Sequence, residues 1–474
     1  MLIKRGTKIQ KDISLGASAF EIERQKNAAR RIKEEFGGDS MRFFVHSYGC
    51  QLNVSDGEKI SGWLSGMGMT ETEELSSADV VVYNTCAIRE SAVERVFGNI
   101  GALKHYKRKN PRMLIILCGC MAQYSDAAER IKQKFRFVDL CFGTHRLFCL
   151  PEMILEHFET GERGFYTENH YGIITEGIPV LRRGQAKAWL PISFGCDNFC
   201  SYCVVPYLRG RERSRDQDII VKEFEGLVAA GAKEITLLGQ NVNSYGKGDF
   251  PVLLDRLAKI PGDFRIKFMT SHPKDASKEL FEVMSRYDKI AKYLHLPIQS
   301  GNDEILKRMN RGYTAAQYEK KIERAKELMP ELTITSDIIV GFPGESYEQF
   351  NDTLGLIKKT EYDSLFTFIY SKRDGTAAAS LPDPVERKEK SEWFKELLDV
   401  QRKIGHKRNL RHQGKTLRVL CEEEGEGGRM FGRTDGNIGV TFTGDKNDIG
   451  KFLDIKITKT QSFALEGEKN GCDS

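Results

Sequence analysis

The 474-residue chain has no apolar run approaching the length of a membrane span, which takes about 20 consecutive apolar residues. Its first residues lack the apolar core of a signal peptide, so a cytoplasmic chain with no membrane partner is expected. Strong charge of one sign is missing as well. The net charge of +5, from 72 Lys and Arg against 67 Asp and Glu, is compatible with nucleic acid without demanding it. Charged residues of both signs make up 29%, as on an ordinary soluble surface. A fourth ligand is missing where one would be sought: Cys196, Cys200 and Cys203 have no further cysteine or histidine at zinc spacing beside them. Cysteine itself is not scarce. Eleven in a cytosolic-looking chain argue for metal or redox chemistry over a disulfide frame. Five of them (Cys118, Cys141, Cys149, Cys421 and Cys472) have no motif around them and read as core filler or surface thiols. The apolar fraction of 40% is enough for real cores, and the length suggests about three domains.

What is present begins with Gly195-Cys196-Asp197-Asn198-Phe199-Cys200-Ser201-Tyr202-Cys203, a C-x₃-C-x₂-C run at the end of an apolar strand. Three thiolates cannot close a structural zinc site or a fully caged cube. They can hold three irons of a 4Fe–4S cluster and leave the fourth open to chelate a small molecule. The plainer alternatives are a zinc knuckle or three unrelated thiols. The spacing, with Tyr202 before the last cysteine, resembles the radical S-adenosylmethionine superfamily. That resemblance implies S-adenosylmethionine on the open iron, cleaved by one electron to a 5′-deoxyadenosyl radical.

Ahead of this run, strand signals at Arg42–Ser47, Asp79–Asn84, Met113–Leu117 and Phe137–Cys141 alternate with helical patterns such as Arg89–Lys107 and Ser125–Lys134. The alternation predicts a doubly wound parallel sheet over about 41–157, after an N-terminal extension, 1–40, that reads as a basic tail and a polar helix. Cys50, Cys86 and Cys120 each follow one of these strands. Ligands of open α/β sheets gather beyond the carboxyl ends of the strands, so the three thiols are placed to converge. Three scattered core cysteines remain the alternative. Cys118 continues an apolar strand and is assigned to the core, whereas Cys120 lies past a glycine and is taken as the ligand.

The polar linker Glu159–Gly184 leads to a middle domain, 182–412, with six strand signals: Ala188–Phe194, Glu234–Leu238, Ile266–Thr270, Tyr293–Ile298, Thr333–Val340 and Leu365–Tyr370. Helical patterns separate them, predicting an open, partial (β/α)₆ barrel with its chemistry at the carboxyl strand ends. Those ends are polar: Gly239, Gln240 and Asn241, then Gln299, then Ser336 and Asp337. Such groups suit the amino group and ribose of S-adenosylmethionine. Tyr202 joins them as a cofactor contact, and Gly341 and Gly344 suit close backbone approach. His272 and His295 are read as packing or hydrogen-bonding residues. Arg209, Arg211, Arg213 and Arg215 alternate after the cluster run and suit phosphate contacts. A solvated strand or an internal ion-pair set would look the same. Residues 413–474 carry short β-rich segments between glycine-rich turns and predict a small antiparallel β-barrel, slightly acidic at Glu422–Glu424.

Ser-Tyr-Gly-Cys50-Gln-Leu-Asn, Asn-Thr-Cys86-Ala-Ile-Arg-Glu, Gly-Cys120-Met-Ala-Gln and the Cys196–Cys203 run together resemble the methylthiotransferase family of the radical S-adenosylmethionine superfamily. The terminal barrel resembles that family's TRAM module. The resemblance implies two 4Fe–4S clusters, one on Cys196, Cys200 and Cys203 and an auxiliary one on Cys50, Cys86 and Cys120. Cys196 to Arg215 and His295-Leu-Pro-Ile-Gln-Ser-Gly301 resemble the branch acting on tRNA. This implies conversion of N6-isopentenyladenosine, 3′ of the anticodon, to its 2-methylthio form. One S-adenosylmethionine would give the methyl group and a second the radical, with sulfur carried by the auxiliary cluster. An unactivated C–H leaves no side chain able to do this work, so the cofactors must. Implied partners are the tRNA anticodon stem-loop and a flavodoxin- or ferredoxin-type reductant, and a monomer is expected. Siblings acting on a ribosomal-protein aspartate or on threonylcarbamoyl-adenosine share the six cysteines. The sequence names neither the sulfur donor nor the residues that read the isopentenyl group.

Overall fold

A computed structural model describes residues 7–86, 90–167, 174–184 and 186–470, with backbone alone for 7–18, 90–95 and 125. The tail 1–6, Arg89, the residues just after Cys86, part of the expected linker and Cys472 lie outside these. The chain divides into two compact units. One runs to Arg183 and takes in Val205–Arg213; the other holds Gly184–Val204 and everything from Ser214.

The first unit is built on a six-stranded, wholly parallel sheet ordered Thr70–Glu71, Arg42–Ser47, Val80–Thr85, Leu114–Gly119, Leu140–Phe142, Gly164–Tyr166. Every residue of Val80–Thr85 and Leu114–Gly119 is buried, as expected of central parallel strands covered on both faces. The edge strands Thr70–Glu71 and Gly164–Tyr166 had no sequence signal, and the second lies beyond the boundary expected at 157. Residues 7–35 form one helix, Thr7–Glu35. The expected polar helix buries Ile22, Ala28, Ala29 and Ile32 in the core with Trp63 and Leu64 of helix Gln51–Gly66 and Met153 and Ile154 of helix Leu150–Thr160. Arg24–Glu152 at 2.7 Å and Arg31–Glu159 at 2.8 Å flank that seam. Beyond it, Ile178 and Leu181 pack on the same core, so part of the expected linker is structural.

The second unit contains six parallel strands in two hydrogen-bonded trios. Lys187–Pro191, Glu234–Leu238 and Arg265–Phe268 form one; Tyr293–His295, Thr333–Val340 and Ser364–Ile369 form the other. A parallel bridge from Ile266 to Ile290 links the third strand to the approach to the fourth. The expected first strand, Ala188–Phe194, splits into Lys187–Pro191 and Ser193–Phe194, although Ile192 N–H still donates to Leu238 O at 2.8 Å. Helices between the strands close an apolar core around Phe224, Leu253, Phe281, Tyr318 and Ile357.

Thr416–Glu424, Met430–Thr434, Gly439–Thr443, Ala464–Lys469 and Phe452–Thr460 close into a five-stranded barrel. The expectation of an antiparallel barrel needs one correction: Gly439–Thr443 and Ala464–Lys469 pair in parallel. This barrel docks under the amino ends of the core strands. Arg265, the first residue of its strand, holds Glu234 at 2.7 Å and Asp435 at 2.8 Å, and Lys267 reaches Glu234 at 3.2 Å and Asn437 at 2.7 Å. Burial alone would raise the Glu234 pKa, but Lys267 and Arg265 outweigh it and hold the carboxyl below its usual value. Of the acidic knot, Glu422 reaches Lys187 of the first core strand at 2.5 Å, whereas Glu424 pairs with Lys446 within the barrel region at 3.1 Å. The carboxyl ends of the core strands lie away from this junction.

Candidate active site

In the first unit, three adjacent parallel strands deliver one cysteine each. Cys50 caps the start of helix Gln51–Gly66, Cys86 follows Val80–Thr85, and Cys120 follows Leu114–Gly119. Cys86 and Cys120 are buried and Cys50 is half-buried. The backbone must come close here. Gly49 sits at φ +97°, and a Cβ on it would lie 2.5 Å from Cys86 Sγ, so only glycine fits. Asn53 stands between the strand ends. Its Oδ1 lies 4.0 Å from Cys50 Sγ and 3.9 Å from Cys120 Sγ, while its Nδ2 donates to Tyr48 O and Thr85 O, both at 2.9 Å. Cys118 points the other way, into the sheet core.

Arg209 closes this site. Its Nε is 3.2 Å from Cys120 Sγ, and its other arm donates to Asn53 Oδ1 at 2.8 Å and Asp56 Oδ2 at 3.1 Å. Sequence reading set Arg209 among phosphate-binding arginines; it is buried and already committed. Arg215 is likewise internal, paired with Glu223 at 2.8 Å and donating to Pro191 O at 2.7 Å. Arg211 is exposed, and Arg213, half-buried, donates to Arg209 O at 3.0 Å. Thus the alternating arginines divide between internal pairing and the surface. Burial pushes the Cys120 thiol up to about 11, against the pull of Arg209 and with the push of Cys50 and Cys86. Three thiols at adjacent strand ends, with a buried guanidinium against Cys120, are a donor set that fits an anionic iron–sulfur cluster.

In the second unit, the Cys196–Cys203 loop follows the first core strand. Cys196 and Cys200 are buried and Cys203 half-buried. Its turn is fixed from several sides. Gly195 at φ +77° donates its N–H to Gln240 Oε1, Phe199 takes a left-handed φ of 45°, and Asn310 Nδ2 donates to Phe199 O at 3.0 Å. Ser201 N–H donates to Met309 O at 3.0 Å, and Ala378 N–H to Ser201 O at 2.8 Å. Tyr202 packs on the cluster of Ile305, Met309, Phe342 and Ala378. Arg311, buried, places Nη1 3.3 Å from Cys200 Sγ and 3.4 Å from Tyr202 Oη. It also donates to Tyr313 Oη at 2.8 Å and Pro297 O at 2.6 Å.

The other strand-end residues take varied places. A Cβ on Gly239 would meet Ser193 Oγ at 2.4 Å, so this glycine lets the second strand close on the first. Asn241 Nδ2 donates to Asp275 at 2.7 Å, and its Oδ1 is buried without a protein partner. Gln299 is held at φ +76° and Thr270 at φ +69°, a backbone strain that collects at functional strand ends. Ser336 Oγ accepts from Ile298 N–H at 2.9 Å and donates to Leu296 O at 3.0 Å, so it ties strands together. Asp337 lies on the opposite face, 3.4 Å from His295 Nε2. Gly341 and Gly344 face Lys390 and Arg308, and Glu345 accepts from Gly341 and Phe342 N–H, closing that turn on itself. His272 is kept neutral, its pKa lowered to about 2 by burial and then by Arg311. Sequence reasoning missed Asn53, Asp56 and Arg311. The first two share the helix face that follows Cys50, a usable signal; Arg311 carried none.

Parallel strands with cysteine-bearing carboxyl ends define the class. Residues 190–357 match the Radical SAM superfamily, 42–143 the uncharacterized protein family UPF0004, and 410–469 the TRAM domain. A solved radical S-adenosylmethionine methyltransferase, TsrM from Kitasatospora setae with cobalamin and a [4Fe-4S] cluster bound, shares the fold at TM-score 0.52 and 14% identity, over 72% of this chain and 77% of that one. Curated relatives are nearer. A tRNA-2-methylthio-N(6)-dimethylallyladenosine synthase of Clostridium tetani (strain Massachusetts / E88) is 47% identical over 90% of this chain and 96% of its own. One from Thermoanaerobacter sp. (strain X514) is 43% identical over 94% and 97%. The chain belongs to this family of radical S-adenosylmethionine tRNA-2-methylthio-N(6)-dimethylallyladenosine synthases.

Proposed function

We propose that this chain converts N6-isopentenyladenosine, 3′ of the tRNA anticodon, to 2-methylthio-N6-isopentenyladenosine. The observation that carries the reading is the pair of three-cysteine sets, each at the carboxyl ends of parallel strands and each faced by a buried arginine. Cys196, Cys200 and Cys203 hold one 4Fe–4S cluster, and Cys50, Cys86 and Cys120 a second. When bound, the clusters and two S-adenosylmethionine molecules supply the methylthio group and the radical that an unactivated C–H requires.

The chain's own residues position these groups. Gln240 anchors the start of the cluster loop and Gly239 lets it close on the second strand. Asn241, Gln299, Asp337 and Tyr202 border the cofactor, with Ser336 fixing the strand ends they sit on. Arg211 and Arg213 contact tRNA phosphates, giving salt-dependent binding, and the target base leaves its stack to reach the site. The working division is an N-terminal segment 1–40, a doubly wound domain 41–157, a partial (β/α)₆ core 182–412 and a TRAM domain 413–474. A cytoplasmic monomer supplied with electrons by a flavodoxin- or ferredoxin-type protein completes the reading.

The test is an anaerobic reaction of the reconstituted chain with S-adenosylmethionine, dithionite and an isopentenylated anticodon stem-loop, followed by mass analysis. Methylthiolated nucleoside, S-adenosylhomocysteine and 5′-deoxyadenosine are expected. Absence of 5′-deoxyadenosine overturns the radical reading, and activity only on a ribosomal-protein peptide or a threonylcarbamoyl stem-loop moves the chain to a sibling activity. Cys50→Ala should keep about half the iron and lose thiolation; full activity removes the second cluster.

A further inference from the structure

The two thiol sets share a device that their cysteine spacing does not announce. Arg209 Nε lies 3.2 Å from Cys120 Sγ, and Arg311 Nη1 lies 3.3 Å from Cys200 Sγ. Both arginines are almost wholly inside, at 7% and 5% exposed. A guanidinium does not give up its proton, and burying one is costly unless something opposite answers the charge.

The answers differ. Arg209 has a carboxylate partner, Asp56, at 3.1 Å, and Asn53 Oδ1 at 2.8 Å. Arg311 spends its remaining N–H groups on neutral acceptors: Pro297 O at 2.6 Å, Tyr313 Oη at 2.8 Å and Tyr202 Oη at 3.4 Å. No carboxylate pairs with Arg311 among the described residues, and the nearby His272 is uncharged. The Cys50 set is therefore faced by a neutralised ion pair, and the Cys196 set by a bare positive charge.

Hydrogen bonds to sulfur and the net charge around a cluster set its reduction potential. Resting on the two-cluster reading above, we propose that Arg311 and the Arg209–Asp56 pair sort the electron between the clusters. Arg311 makes the Cys196/Cys200/Cys203 cluster easier to reduce. Asp56, by cancelling Arg209, keeps the auxiliary cluster oxidised while the electron is used. Both arginines are positioning residues: they act on ligand sulfurs, not on substrate.

The experiment uses two full-length backgrounds, reconstituted anaerobically. Replacing Cys50, Cys86 and Cys120 by alanine leaves the radical cluster alone, and replacing Cys196, Cys200 and Cys203 leaves the auxiliary cluster alone. Each is titrated with dithionite against mediator dyes while the reduced-cluster paramagnetic signal is followed. In the first background, Arg311→Gln should lower the reduced-to-oxidised ratio at fixed potential about tenfold, a midpoint shift of about 59 mV for one electron. Arg311→Lys, which keeps the charge, should recover most of it. In the second, Asp56→Asn should raise the midpoint and Arg209→Gln lower it. If Arg311→Gln takes up no iron, the lysine variant and Asp56→Asn still decide. Full iron with unmoved midpoints overturns the assignment to the arginines and leaves the two-cluster reading standing. A background that takes up no iron at all overturns the two-cluster reading itself.

Discussion

Glu345 shows how one side chain can replace a ligand as the organiser of a turn. Its carboxylate accepts two backbone N–H bonds from Gly341 and Phe342, yet burial pushes its pKa up to about 7. The folded protein therefore holds a proton there that the unfolded chain releases above the usual carboxyl value of 4.5. Its contribution is intact below pH 4.5 and is lost as pH rises through about 7. Glu345→Gln should flatten the stability-against-pH curve between pH 5 and 7, as read from denaturation midpoints; an unchanged slope would remove Glu345 as its source. At this scale the sequence was legible where spacing carries the chemistry. Three cysteines within eight positions mark one site on spacing alone, and the fold brings Cys50, Cys86 and Cys120 to the ends of three adjacent strands. Arg209 was illegible for the opposite reason. Four alternate arginines look alike in sequence, and only the fold decides which one meets Asp56, more than a hundred residues earlier.

Helix Thr7–Glu35 is the element whose role the chain hid best. Its polar composition suggests a surface appendage, and its apolar residues are few. Ile22, Ala28, Ala29 and Ile32 nonetheless enter the sheet core, with Ile32 fully buried, while Phe20 stays exposed. Ile32→Ala should destabilise the first unit by about 2–5 kcal/mol, seen as faster hydrogen exchange in helix Gln51–Gly66. Exchange confined to the helix itself would mean that it only rests on the surface. The edge strands were missed on similar grounds. Thr70–Glu71 and Gly164–Tyr166 have two and three residues, too few to show a period of two. The buried runs Val80–Thr85 and Leu114–Gly119 were found within one or two residues, because a strand covered on both faces is apolar throughout.

For the molecule as a whole, the small barrel is tied to the core strands of the second unit through charge. Glu234, Arg265 and Lys267 are all buried at that junction, and removing one partner leaves another uncompensated. Arg265→Ala should cost about 3–5 kcal/mol, measured by chemical denaturation of the full chain; a loss under about 1 kcal/mol would place the pair among weak surface contacts. No sequence pattern announces such a junction, since its residues read as ordinary strand-edge charges.

The path of the chain has a further consequence. Val205–Arg213 counts with the first unit although it follows Cys203, so the polypeptide returns after leaving to donate the guanidinium that Cys120 faces. A recombinant fragment ending at Arg183 would lack that returning stitch. The Cys50, Cys86 and Cys120 set, with its arginine, is therefore not portable as a freestanding cassette cut at Arg183.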